Sequence, residues 1–188
     1  MEISLLSKEV FSLVSKLKDY DVPSYEHSKR VAFLSRATAI ELGLSTKEIE
    51  SIFLGGFLHD LGKLKISTEV LNSPNKLTDE EFTEMKNHPL YGLEELKLSS
   101  EILKDEIIID IIINHHERID GSGYPNNKKG DELTIYSRIS AATDSYDAMT
   151  DKREYNIPKS KEDSIADLRS LKYDQRVVDA LEKVVMRD

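Results

Sequence analysis

The chain has no cysteine, which excludes disulfides and thiolate metal ligands and suits a reducing compartment such as the cytoplasm. No apolar run approaches the length of a membrane-spanning helix, and the opening MEISLLSKEV lacks the basic-then-apolar plan of a signal peptide. Positive charge is scarce: 26 Lys and Arg against 35 Asp and Glu leave a net charge of -9. That balance argues against broad contact with a nucleic acid polymer or an anionic membrane, but leaves room for a small anion in a locally positive pocket. Internal repeats, low-complexity tracts and linkers are also missing, so the 188 residues read as one unit with one substantial core.

What is present is helical patterning. Leu5, Leu6, Val10, Leu13, Val14 and Leu17 form one stripe over 4–19, which Pro23 ends. A second helix runs from Tyr25 to Leu42, with Gly43 as its C-terminal cap. Ser45 and Glu48 have capping-box spacing and open a third helix through IESIFLGGFLHD, apolar on nearly every side and so buried. Gly55 and Gly56 are poor helix formers and mark the close approach of another helix. Thr78 caps a further helix with acids in its first turn. The run IIIDIII within 101–114 has the β-branched content of a strand, but Glu106, Asp110 and Asn114 recur every fourth residue, and a lone strand would have no partner; it is read as helix. A loop over 120–130, a helix from about Leu133 to Met149 and two short helices, the last from Asp174 through Val185, complete an all-α fold of about seven to nine helices.

Five histidines carry the chemistry: His27, His59, His88, His115 and His116. Asp60 follows His59 at the end of a buried helix, where an ionised carboxylate costs several kcal/mol unless a cation or donors meet it. Asp144 ends the small-residue stretch SRISAATD, and Asp147 follows one turn later. Taken singly, His27 or His88 reads as a surface or hydrogen-bonded residue, and His59-Asp60 as a helix end with a capping acid. Taken together, imidazoles and carboxylates without sulfur suit Fe, Mn, Ni, Co or Zn. A paired-metal site needs about six to eight ligand groups, which this set can supply, and such a site activates a water and clamps a phosphoryl oxygen.

The order of His27 with Arg30 and Val31, then HDLGK, NHPLYG, HHERIDGSGYP, AATDSYDAMT and REY resembles the HD-GYP phosphodiesterases, a subgroup of the HD hydrolases. The match runs from residue 24 to 185 and places an N-terminal helix over 1–22 ahead of an HD-GYP domain over 23–188. The resemblance implies a helical HD-type domain with two divalent ions, Fe or Mn being the usual occupants. His27, His59, Asp60 and Asp144 correspond to the ligands of one ion. Asp60 bridges to a second, held by His88, His115 and His116. Some members carry a glutamate four residues before the first histidine, linked to a third metal; here Pro23 stands there, so two metals are expected. Lys63 is implied beside the scissile phosphate, Tyr124 and Arg153 against the nucleotide, and Asp147 near the water or Lys63. Gly121 and Gly123 would let backbone approach a ligand, with Arg118 and Asp120 bracing the loop and Lys128-Lys129 at its solvated tip.

The implied reaction is hydrolysis of cyclic di-GMP to linear pGpG, and onward to GMP, by a hydroxide bridging the two ions. Glu154 and Asn156, flanking Tyr155, depart from the pattern and keep a different cyclic dinucleotide or a nucleoside phosphate open as substrate. A non-catalytic module that binds the dinucleotide or docks as an adaptor is the rival of another class. The expected partners are the dinucleotide and either a second copy or a regulatory protein. Only about twenty residues precede the motif region, so the chain is expected to stand alone or to be regulated from elsewhere.

Overall fold

The computed structural model describes residues 8–97, 104–152, 157–170 and 172–187. Among these the chain is helical: α1 (Lys8–Tyr20), α2 (Val22–Glu41), α3 (Thr46–Leu58), the single turn α4 (Thr68–Leu71), α5 (Asp79–Met85), α6 (His88–Leu96), α7 (Glu106–Asn114), α8 (Ile135–Thr150), α9 (Lys161–Leu168) and α10 (Gln175–Val185). Two 3-10 turns, Leu61–Lys65 and Gly130–Glu132, and one isolated antiparallel bridge between Asp120 and Lys129 complete the described elements. The all-α expectation holds. No described helix is long and apolar enough to cross a membrane.

Local chemistry accounts for the helix ends. The Ser45 hydroxyl accepts from the Glu48 backbone while Glu48 reaches back to Ser45, and Thr78 and Glu81 repeat the arrangement. Gly43 takes a left-handed φ of 75° just beyond α2, as its capping role requires. Pro23 does not merely end the first helix. Asp21 caps α2 by accepting from the Ser24 N–H, and Pro23 lies in the first turn of α2, where its missing N–H costs nothing. The isoleucine-rich α7 is helical because the Asp105 carboxylate accepts from the Ile107 and Ile108 N–H groups at its start. Asn114 then donates to Asp110 four residues back at 2.8 Å, a contact that only helical spacing offers.

Two apolar clusters form the core. One gathers Ile52, Ile111, Ile139, Leu168, Val178 and Leu181; the other Val14, Ala32, Phe57, Leu61, Ile108 and Ile112. α3 and α7 feed both clusters, and α1 packs into the second through Val10, Leu13 and Val14. Three glycines let these elements touch. A Cβ at Gly55 would lie 2.7 Å from the Ile111 side chain of α7, and one at Gly56 would lie 2.8 Å from Cα of Ala32 on α2. The tightest is Gly62, where a Cβ would fall 1.9 Å from the His88 carbonyl oxygen and 2.5 Å from the Gly92 nitrogen of α6. The expected close approach at Gly55 and Gly56 is therefore present, and Gly62 adds a third that presses the turn after Asp60 onto the start of α6.

Gly62→Ala is predicted to lower the unfolding free energy by about 1–3 kcal/mol, because backbone rather than a mobile side chain must yield. Urea denaturation followed by far-UV circular dichroism measures this, and an unchanged midpoint would contradict the packing described.

Candidate metal centre

The seven residues expected as ligands converge. His27 projects from α2, His59 from the C-cap of α3, and Asp60 from the next position. His88 opens α6, His115 and His116 follow the last turn of α7, and Asp144 lies on α8. The two adjacent imidazoles lie at the C-terminal end of α7, with ring centroids 4.2 Å apart. His59, Asp60, His88 and His115 are each 1% exposed or less.

Three of the rings are locked in one tautomer. The Nδ1–H of His59 donates to the Gly56 carbonyl at 2.7 Å, that of His88 to Met85 at 2.7 Å, and that of His115 to Ile112 at 3.0 Å. A carbonyl only accepts, so each Nδ1 keeps its proton and each Nε2 presents a lone pair. Those lone pairs have no protein donor. Nε2 of His88 and Nε2 of His115 face each other at 3.0 Å, and Nε2 of His59 is buried without a partner. Burial pushes His88 down to about 4 and His115 well below the usual imidazole range, so neither ring supplies a second proton at neutral pH. Unshared lone pairs at such separations repel unless a cation lies among them, and this donor set fits a divalent metal.

Two carboxylates span the groups of imidazoles. Oδ1 of Asp60 lies 3.3 Å from Nε2 of His88, whereas its Oδ2 lies 3.4 Å from Nε2 of His59 and 3.7 Å from Nε2 of His27. Asp144 places Oδ1 3.0 Å from Nε2 of His27 and Oδ2 3.7 Å from Nδ1 of His116. Donor atoms of His27, His59 and Asp144 lie within 4.8 Å of one another, as do those of His88, His115 and His116, with His59, Asp60 and His115 forming a third such set between them. Burial would raise both acids; the Lys63 ammonium leads what outweighs this at Asp60, and the hydrogen bond from His27 does so at Asp144. Both stay ionised. Burial also lowers His116 well below its usual value.

His27 differs from the other rings. Its Nδ1 meets Oδ2 of Asp147 at 2.7 Å and its Nε2 meets Asp144 at 3.0 Å. Burial pushes its pKa down, but the bonds to Asp144 and Asp147 prevail and lift it to about 9. Asp147 is in turn gripped by Arg30, which donates from Nε to Oδ1 at 2.8 Å and from Nη2 to Oδ2 at 2.9 Å, and which also pairs with Asp151 at 2.6 Å. Asp147 was expected to position the water or Lys63. In this structure its oxygens meet His27 and Arg30.

Lys63 places Nζ 2.6 Å from Oδ2 of Asp60 and lines a cleft of about 430 Å³ together with His27, His88, His116 and Tyr124. The Tyr124 ring stacks on His116 at 4.6 Å, and burial pushes its hydroxyl pKa upward. Arg153 and its neighbours 154–156 lie outside the described residues. Gly121 has the expected positive φ of 80°. At Gly123 a Cβ would lie 2.5 Å from the His116 carbonyl oxygen, so the missing side chain lets the loop pack onto the histidine pair. Arg118 braces the loop base by donating to the Glu117 carbonyl and to Ser145, but Asp120 bonds only locally, to the Ser122 N–H. The second brace is Glu117, 1% exposed, whose carboxylate accepts from the backbone of Asn126 and Lys128. Its place directly after His116 was the available signal.

Comparison with known proteins agrees with this geometry. The HD domain family profile matches residues 13–178. A cyclic di-GMP phosphodiesterase of Thermotoga maritima is 37% identical over 94% of this chain and 49% of its own length. A 3'3'-cGAMP-specific phosphodiesterase of Vibrio cholerae is 37% identical over 83% of this chain and 30% of its own. The chain thus spans half or less of the length of these relatives. The solved structure of Bd1817, an HDG"Y"P protein from Bdellovibrio bacteriovorus, superposes with a TM-score of 0.69 at 21% identity, covering 85% of this chain and 51% of that one.

Two outcomes are expected from titrating metal-free protein with Mn²⁺. First, His27, raised to about 9, must shed a proton to become a ligand, whereas His88, lowered to about 4, need not. Affinity on the His27 side should therefore rise about tenfold per pH unit up to that value, and only weakly on the His88 side. Calorimetry in two buffers of different ionisation enthalpy counts the released proton, and pH-independent binding without proton release would contradict it. Second, Arg30→Met should weaken the His27 side roughly 10–100-fold by freeing Asp147. Equal loss on both sides would refute that coupling.

Proposed function

The chain belongs to the HD domain family, with the motif order of the HD-GYP branch, and from that premise we propose that it hydrolyses cyclic di-GMP to linear pGpG and then to GMP. The observation that carries the reading is the set of buried, inward-facing Nε2 lone pairs on His59, His88 and His115, crossed by two ionised carboxylates. On this reading His27, His59 and Asp144 hold one divalent ion, His88, His115 and His116 hold the other, and Asp60 spans them. The family resemblance favours Fe or Mn, and nitrogen and oxygen donors without sulfur are compatible with Ni, Co and Zn as well. Such an ion pair, when bound, supplies an activated water near neutral pH and charge against a phosphoryl oxygen.

The protein's own groups do the rest. Arg30 and Asp147 hold the His27 ring in one orientation. The Lys63 ammonium, now 2.6 Å from Oδ2 of Asp60, stands on the cleft wall. Once Asp60 is neutralised by its ligand role, Lys63 is available to charge that builds on the phosphoryl oxygens. Tyr124, held flat on His116, walls the cleft beside the reacting phosphate, and Arg153 is assigned to the nucleotide. A second substrate is favoured by one observation: the Vibrio cholerae relative, equally similar in identity, is named for 3'3'-cGAMP. The non-catalytic reading is disfavoured because the full donor set is present and converges.

Metal-loaded protein incubated with a panel of cyclic dinucleotides, with products resolved by chromatography, tests the proposal. Asp60→Ala is expected to abolish turnover while the helical dichroism spectrum survives, and Lys63→Met to lower kcat roughly 100-fold. Full turnover by a metal-free Asp60→Ala protein would overturn the mechanism.

A further inference from the structure

Two cavities meet at the mouth of the metal cleft. The cleft itself, about 430 Å³, and a second groove of about 670 Å³ are neighbours, with Leu71 and Met85 walling both. The groove is lined by apolar side chains, Val70, Leu71, Leu77, Phe82 and Met85, with Ser73, Asn75, Lys76 and Asp79 alongside. Phe82 is 47% exposed and turns its ring to this groove rather than to either core cluster. Lys86 lies against one ring from each cavity. Its Nζ lies 4.5 Å from the centroid of Phe82, which lines the groove, and 5.9 Å from that of Tyr124, which lines the cleft. No carboxylate pairs with Lys86 among the described residues. In a chain of net charge -9, an ammonium without a counter-charge at this junction makes a local attraction for an anion.

The groove is also built into the metal centre. The capping box of Thr78 and Glu81 sets the start of α5, which carries Phe82 and Met85. The Met85 carbonyl then holds the His88 ring, while its side chain divides the two cavities. A ligand part that leaves the metal cleft over Met85 meets an apolar aromatic wall and a cation.

We infer that this groove binds one purine base of a cyclic dinucleotide, stacked on Phe82, with Lys86 against the phosphodiester that is not being cleaved. The inference rests on the proposed activity and adds a subsite to it. A cyclic dinucleotide carries two phosphates and two bases on one ring. With one phosphate at the imidazoles and Lys63, the other phosphate and its base must leave the cleft together, and the junction offers both a cation and a stacking face. Every purine has a π-face, so this subsite selects two-base ligands over small diesters without separating guanine from adenine.

The test is steady-state kinetics of the full chain, metal-loaded, with cyclic di-GMP, 3'3'-cGAMP and bis(p-nitrophenyl) phosphate. Phe82→Ala should raise KM for both dinucleotides roughly tenfold with kcat nearly held, and should lower their kcat/KM relative to the small diester by the same factor. Phe82→Trp should restore the ratio, and Lys86→Gln should lower it where Lys86→Arg does not. A parallel fall for all three substrates, or no change in the ratio, overturns the subsite. Wild-type protein that cleaves only the small diester would instead defeat the proposed function. The groove is then judged by calorimetry with cyclic di-GMP, where equal Kd for wild type and Phe82→Ala overturns it.

Discussion

Each of three buried imidazoles gives its only proton to a backbone carbonyl, and the lone pairs left over point at one another. His59, His88 and His115 are fixed this way by Gly56, Met85 and Ile112. No protein donor meets those nitrogens, and burial keeps His88 and His115 unprotonated at neutral pH. The arrangement stores a repulsion that a cation relieves. Asp60 and Asp144 make the same demand from the opposite sign, since two ionised carboxylates are buried where water cannot solvate them. Lone pairs and carboxylates together specify a site for positive charge, and the paired pattern of Asp60 oxygens divides it in two.

The fold serves this convergence. The histidines come from α2, the end of α3, the start of α6 and the end of α7, and these elements must approach more closely than ordinary side chains allow. Gly55, Gly56 and Gly62 remove the obstructing Cβ atoms at the contacts with α7, α2 and α6. The carbonyls that orient the rings lie three or four residues before them, so helix geometry itself sets the tautomer. Asp147 and Arg30 then make His27 the exception, held through a carboxylate rather than a carbonyl, with its pKa lifted where those of His88 and His115 are lowered.

Much of this was legible in residue order because capping and spacing are local. Ser45 with Glu48, Thr78 with Glu81, Gly43 and the Asp110–Asn114 repeat all kept the roles their neighbours dictated. The candidate ligands were expected from the motifs that resemble the family, and the donor atoms of all five histidines, Asp60 and Asp144 do cluster. Roles that depend on what lies across the fold were not legible. Asp147 is three residues from Asp144, and its bonds to Nδ1 of His27 and to Arg30 follow only from how α8 packs on α2. Gly123 has the His116 carbonyl as its neighbour. Glu117 gave no periodic sign of holding the backbone of Asn126 and Lys128. The contact between Lys86 and the rings of Phe82 and Tyr124 likewise emerges only from packing.

The central claim is that these imidazoles and carboxylates enclose a pair of divalent cations. Anomalous diffraction from crystals of protein purified without chelator and without oxygen, collected at the Fe and Mn edges, measures this most directly. The account predicts two anomalous peaks roughly 3.5–4 Å apart, one among His27, His59 and Asp144 and the other among His88, His115 and His116, with Asp60 between them. Fully reconstituted crystals with no anomalous density among these side chains, or with metal only elsewhere on the molecule, would contradict it.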